Sequence, residues 1–120
     1  MFKLQLDVIC WCAELMGNKP VPVDQKAVSL HLLEEALEVC LALGCTPAEI
    51  ENETRLQLVR QSSKFDKPVV RDELSNCLIV LLRLAGLRGV DLEEQGIYEL
   101  ERNRKLRWDV LKSGDFRKRR

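Results

Sequence analysis

Four polar side chains on one predicted helix are the residues of this chain best placed to do chemistry. At about 100° per residue, His31, Glu34, Glu35 and Glu38 fall within one arc of about 100°, and apolar residues fill most of the remaining circumference. No Lys or Arg follows any of these acids by four positions, so their mutual repulsion has no local offset. A divalent cation between the carboxylates would remove that repulsion, and Mg²⁺ prefers such oxygen ligands together with substrate phosphates. The stripe predicts a Mg²⁺ site, with a solvated acidic face as the alternative.

A second predicted helix carries two polar residues on a face that is otherwise apolar. Glu73 and Asn76 lie one turn apart, and Cys77, Val80 and Leu84 continue the same face. If the two helices packed in a bundle, Glu73 and Asn76 would face the acidic stripe of the first helix. The sequence therefore predicts an acidic cage built from two helices.

The elements that position these side chains are helices, indicated by apolar residues at a period of 3.6 and by local start and stop signals. Thr46, Pro47 and Glu49 form a capping-box signal, and Asp91 with Glu94 repeats that arrangement. Glycines and prolines separate the segments. The predicted helices cover residues 2–16, 24–43, 46–63, 70–88 and 91 to about 113.

Composition and pattern predict an all-α fold. The 120 residues are 46% hydrophobic and 32% charged, a balance typical of a globular chain, and they show neither strand alternation nor an internal repeat. We expect a bundle of about four to five helices. Residues 1–112 would form a single helical domain, and residues 113–120 a basic C-terminal tail.

Charge and cysteine content narrow the setting in which the protein would work. Nineteen basic and nineteen acidic residues cancel, which argues against binding to nucleic acid or to an anionic membrane surface. The longest apolar run, residues 77–82, is too short to span a bilayer. Five cysteines without disulfide-framework spacing favour a reducing compartment, by default the cytoplasm. A zinc site at Cys10 and Cys12 is the alternative to buried free thiols.

The acidic residues and their order along the chain resemble a known family. Residues 31–38 look like the EExxE helix of the MazG-like all-α nucleoside triphosphate pyrophosphohydrolases, and residues 71–76 stand where their ExxD helix belongs. Residues 89–94 and 101–108 resemble the closing helix of that family, in which Asn precedes basic residues and often a Trp. The resemblance runs from about residue 4 to residue 108. It implies the fold of the family, an assembly of dimers or dimers of dimers, and hydrolysis between the α- and β-phosphates.

Carried over residue by residue, the resemblance implies that Glu35, Glu38 and Glu73 ligate Mg²⁺, or Mn²⁺ in its place. Glu34 would be a further ligand or would orient a water, and either Glu34 or Glu35 would accept the proton of that water. Asn76 occupies the last ligand position, where the family has Asp. Because an amide oxygen is a neutral ligand, this departure predicts weaker metal binding, an altered second ion or reduced turnover.

Basic residues near the end of the last predicted helix are candidates for binding the triphosphate. Asn103, Arg104, Lys105 and Arg107 would hold the phosphates electrostatically. The alternative is a basic last turn that complements the helix dipole.

Three further residues are candidates for contacts around the substrate. Trp11 could stack on a base or pack in the core. Lys19 is a candidate by its position near a connector. His31, on the acidic stripe, would make a hydrogen bond to a ligating carboxylate or take part in catalysis directly.

The resulting prediction is a Mg²⁺-dependent enzyme that converts an NTP or dNTP to the monophosphate and pyrophosphate, as in house-cleaning of nucleotide pools. One alternative is a nucleotide or metal sensor that has lost full activity through Asn76. Another is a nucleic-acid module that uses the basic run of residues 117–120, although such a run is usually a solvated tail. A purely structural helical oligomer is the third.

Overall fold

The computed structural model describes residues 2–19, 22–64 and 66–119. This part of the chain is mostly helical, as the predicted all-α class requires, with one small two-stranded sheet in addition. Parts of the predicted connectors, at positions 20, 21 and 65, and the last residue of the predicted tail lie outside the described residues. The elements are α1 (Phe2–Leu15), α2 (Gln25–Ala42), α3 (Pro47–Ser62), α4 (Val70–Leu87), α5 (Leu92–Arg104), β1 (Trp108–Val110) and β2 (Phe116–Lys118).

The residues predicted to start α3 and α5 form local hydrogen bonds at both helix N-termini. The Glu49 backbone N–H donates to the Thr46 hydroxyl at 3.1 Å, and the Thr46 N–H donates to the Glu49 carboxylate at 3.0 Å, which completes a capping box. This hydrogen bond from the Thr46 backbone holds the pKa of the Glu49 carboxyl below its ordinary value. At α5 the Glu94 N–H donates to the Asp91 carboxylate at 3.0 Å. These contacts explain why the sequence located both helix starts correctly.

The chain forms two compact units. Residues 25–69, with α2 and α3, make one unit. Residues 1–24 and 70–120, with α1, α4, α5 and both strands, make the other. We call them the inserted unit and the terminal unit. The division depends on contacts between distant parts of the chain, which local sequence patterns do not encode.

Within the terminal unit, α1 packs against α5. Gly96 faces Leu4 across this contact, and a Cβ at Gly96 would lie 2.9 Å from Cδ2 of Leu4. Leu100, one turn further along α5, is buried. A side chain at position 96 would require the Leu4 side chain to move.

The C-terminal segment is a β-hairpin, which differs from the predicted helix to about residue 113 and the predicted tail over 113–120. The strands β1 and β2 are antiparallel, with Trp108 opposite Lys118 and Val110 opposite Phe116. Phe116 is buried, so the apolar residues of this segment serve the core of the terminal unit. We missed the hairpin because three-residue strands carry too little alternation to compete with a helical period.

The loop of the hairpin is held against the connector that follows α1. The Asp24 N–H donates to the Ser113 carbonyl at 2.6 Å. Gly114 has φ +82°, and a Cβ there would lie 2.9 Å from the carbonyl oxygen of Pro22. Both the backbone conformation and the close approach therefore require glycine, and they fix the hairpin loop in place.

Most apolar side chains of α4 are exposed. Ile79 is 64% and Val80 59% exposed, and Leu74 and Leu87 are also largely open to solvent. Exposed apolar surface of this extent on one helix is typical of an interaction face. No helix among the described residues is long and apolar enough to cross a membrane.

Candidate functional site

The acidic stripe of α2 lies in the inserted unit and is accessible. His31 Nε2 lies 3.4 Å from a carboxylate oxygen of Glu35, one turn later on the same helix. The Glu35 side chain is 61% exposed, and Glu34 and Glu38 are exposed as well. The structure thus brings His31 to Glu35 as the helical spacing predicts, and it leaves the carboxylate oxygens within reach of solvent.

The second predicted ligand pair lies at the start of α4 in the terminal unit. Asp72 and Glu73 occupy the first turn, where the positive end of the helix dipole stabilises carboxylates. Asn76 follows one turn later and is exposed. A structural explanation of Glu73 as a dipole partner therefore stands beside its predicted role as a ligand.

Each predicted Mg²⁺ ligand has a suitable donor atom. Glu35, Glu38, Glu73 and Asn76 all offer oxygen, the ligand atom that this ion prefers. Residues 2–19, 22–64 and 66–119 contain no group of three or more His, Cys, Asp or Glu side chains arranged to hold a metal ion.

The predicted triphosphate-binding residues surround the end of α5. Arg104 Nη1 lies 3.5 Å from the carboxylate of Glu14 on α1. Lys105 is the C-cap, and Arg102 and Arg104 lie in the last helical turn, in agreement with a dipole role. The Arg107 carbonyl accepts a hydrogen bond from the Arg119 N–H at 2.8 Å, which extends the hairpin ladder by one step. The side chains of Arg104, Lys105 and Arg107 are exposed, whereas Asn103 is half-buried.

Trp11 packs in an aromatic cluster within the terminal unit. Its ring meets Trp108 edge-on at 5.3 Å between centroids and lies 6.1 Å from the ring of Phe116. The Trp108 indole N–H donates to the Asn103 carbonyl at 2.8 Å. This geometry is typical of a core that ties a hairpin to a helix. Lys19 is exposed beyond the end of α1.

The cysteines are all free thiols. Partial burial, with a smaller contribution from the charge of Asp115, raises the pKa of the Cys12 thiol. Such a thiol is a poor nucleophile at neutral pH because little of it is ionised.

The hairpin and the buried carboxylate in its loop were not predicted from the sequence. Asp115 is 7% exposed, next to Gly114 and Phe116, which are also buried. Ser113 followed by Gly114 and Asp115 is a turn signal, and Trp108, Val110 and Phe116 are apolar residues on either side of it. These residues together could have indicated two short strands and a loop.

A comparison of this chain with protein-family models, with curated proteins and with solved structures finds no match.

Proposed function

We propose that this chain is a Mg²⁺-dependent nucleoside triphosphate pyrophosphohydrolase of the MazG-like kind, converting an NTP or dNTP to the monophosphate and pyrophosphate. The observation that carries the proposal is the stripe of Glu34, Glu35 and Glu38 on one face of α2, exposed and without a Lys or Arg four residues after any of them. Carboxylates repel at this spacing, and a divalent cation relieves that repulsion. The order of the acidic, amide and basic residues along the chain supports the same function.

Different residues of the chain would bind the metal ion, accept a proton and orient a carboxylate. Glu35 and Glu38, one turn apart on α2, would hold Mg²⁺. By the resemblance, Glu73 and Asn76 of α4 would belong to the same ligand set. When bound, the ion neutralises charge on the phosphate oxygens and acts as a Lewis acid. Glu34 or Glu35 would accept the proton of the attacking water. The contact of 3.4 Å between His31 and Glu35 gives His31 the means to orient that carboxylate.

The exposed basic residues after α5 would bind the triphosphate tail. Lys105 and Arg107 are exposed, and Arg104 is held by Glu14 at 3.5 Å. Guanidinium groups match phosphate oxygens in pairs, so these residues suit a leaving pyrophosphate. Free thiols at all five cysteines support a reducing compartment such as the cytoplasm.

The test is a product analysis of the purified chain. Canonical and modified ribo- and deoxyribonucleoside triphosphates would be incubated with and without Mg²⁺, and monophosphate, diphosphate, pyrophosphate and phosphate would be resolved. We expect monophosphate and pyrophosphate only in the presence of the metal ion. Diphosphate and phosphate as products would instead place the cleavage at the terminal phosphate and contradict the proposal.

The second candidate function is a nucleotide or metal sensor that binds without turnover. Asn76 favours it, because this residue brings a neutral amide where a carboxylate would add charge to the ligand set. We expect Asn76→Asp to tighten Mg²⁺ binding by about tenfold, as one added charge in a partly exposed site is worth on the order of 1 kcal/mol. The measurement is the Mg²⁺ dependence of hydrolysis and of nucleotide binding in both proteins. Turnover by Asn76→Asp alone would favour the sensor, and unchanged Mg²⁺ dependence would remove Asn76 from the ligand set.

We also propose that the protein assembles as a homodimer or homotetramer through α4. Ile79, Val80 and Leu87 are each more than half exposed on this helix. Covering such side chains contributes roughly 25 cal/mol per Å² of apolar area, so a second chain would gain from packing there. Light scattering should give at least twice the 13.8 kDa of one chain. A monomeric mass at micromolar concentration would contradict this proposal, and Ile79→Asp should shift an oligomer toward monomer.

A further inference from the structure

The C-terminal hairpin presents a row of arginines on the face turned away from its apolar residues. Side chains alternate along a strand, so Trp108, Val110, Phe116 and Lys118 share one face. The other face carries four charged residues, which are Arg107, Asp109, Arg117 and Arg119. We call these four residues the arginine face. Its members are all exposed.

The arginine face contains more basic than acidic residues. Arg119 donates from Nε at 2.9 Å and from Nη2 at 2.6 Å to one oxygen of Asp109, so this carboxylate orients the guanidinium. Arg107 stands directly across the ladder from Arg119, and like charges in that position are destabilising. Three arginines and one aspartate give the arginine face a formal charge of +2, which attracts an anion such as a phosphate.

The net charge of zero conceals a strong segregation of charge along the chain. The segment from residue 102 to residue 120 contains nine of the 19 basic residues and two of the 19 acidic ones, so its net charge is +7 and that of the preceding residues is −7. Charges farther away than about 10 Å are largely screened at ordinary salt, so the local charge governs binding. Arg102 and Arg104 pair with Glu99 and Glu14 outside this segment, whereas residues 107–119 contain five basic and two acidic residues. The net charge of zero therefore does not exclude binding of nucleic acid by this segment.

The arginine face rests on a rigid support. The opposite face of the hairpin packs through Phe116 and Trp108 on Trp11, and Gly114 fits closely against the connector after α1. Cations on such a support lose less conformational entropy when they bind than cations on a solvated tail. The basic run is thus an ordered surface through residue 119.

We propose that the arginine face binds the phosphodiester backbone of a nucleic acid. Arg117 lies in β2 and Arg119 directly follows this strand, a separation of roughly 6.6 Å, and Lys112 extends the charge to the hairpin loop. A triphosphate tail concentrates its charge at one end of a small molecule, whereas each strand of a nucleic acid presents one phosphate per ~3.4 Å of rise. An exposed row of cations matches the second pattern. The arginine face has no aromatic residue for stacking on bases, so the contact is independent of base sequence.

This inference goes beyond the proposed hydrolysis, and the experiment separates the two. Fluorescence anisotropy of the full chain with labelled single-stranded and duplex oligonucleotides of mixed sequence would be measured over a range of KCl concentrations. We expect binding at low salt that is independent of sequence. The variant R117Q/R119Q should weaken it and lower the slope of log K against log salt by about 1.4 for single strands and about 1.8 for duplexes.

The matched control is R55Q/R60Q, which removes the same charge from exposed positions of α3 and should leave binding unchanged. Asp109→Asn removes the acid from the arginine face and should tighten binding, a gain that unfolding cannot produce. The inference is overturned if no oligonucleotide binds at low salt, or if R55Q/R60Q weakens binding as much as R117Q/R119Q. It is also overturned if R117Q/R119Q loses binding to free nucleoside triphosphate but keeps the oligonucleotide, because the arginine face would then serve the substrate.

Discussion

Replacing Glu38 by Gln is expected to lower the Mg²⁺-dependent hydrolysis of nucleoside triphosphates on the order of 100-fold or more. The substitution keeps the shape and exposure of the side chain on α2 but removes one negative charge from the acidic stripe. Charge stabilisation by a bound metal ion is worth several kcal/mol, and each 1.36 kcal/mol changes a rate about tenfold. Initial rates of pyrophosphate release at saturating Mg²⁺ would measure the effect.

The control for this variant is Glu51→Gln on α3, which makes the same chemical change at an exposed position outside the stripe. Its rate should equal that of the native chain. Equal circular dichroism spectra of the three proteins would exclude a loss of helix as the cause. If Glu38→Gln hydrolyses substrate as fast as the native chain, Glu38 is not a ligand, and the acidic stripe is a solvated face.

A Phe116→Ala substitution should destabilise the protein by about 3 kcal/mol, at the low end of the range for buried phenylalanines. Phe116 is 9% exposed, lies opposite Val110 in the hairpin and approaches the ring of Trp11 at 6.1 Å. Its removal leaves a cavity where the hairpin meets α1. For a chain of this size the expected fall in Tm is about 10 °C, measured by thermal unfolding with near-ultraviolet circular dichroism of the tryptophans.

Phe2 offers a matched control, since it is 74% exposed at the start of α1 and Phe2→Ala makes the same change of side chain. We expect this control to change the free energy of unfolding by less than about 0.5 kcal/mol. Should both variants unfold at the same temperature as the native chain, residues 113–119 would contribute nothing to the fold, and the interpretation as a tail would be correct after all.

Most helix ends were predicted to within a few residues because capping residues and glycines close in sequence determine them. Thr46 and Glu49 bond to each other across a single turn, and α2 and α4 are followed by Gly44 and Gly89 in the left-handed conformation. The contact between His31 and Glu35 also follows from helical spacing alone. Each of these features needs only neighbours within about five residues.

The predicted C-terminal end of the last helix was wrong because that part of the structure depends on residues far apart in the chain. Trp108 and Phe116 form a pattern only when they are paired across a loop and packed on Trp11, about 100 residues earlier in the chain. The burial of Asp115 in the hairpin loop and the glycine requirement at position 114 depend on the same distant contacts. Sequence patterns within a window of a few residues do not predict these distant contacts.

The same distinction applies to function. Amino-acid order alone establishes that three carboxylates share one face of α2, since the period of a helix is constant. It also establishes that basic residues gather after position 101. Whether those basic residues are dispersed or displayed together depends on the pairing of β1 with β2, because only that register places Arg107, Arg117 and Arg119 on one face. Pairing between strands is a non-local property, set by the burial of Phe116 on the opposite face.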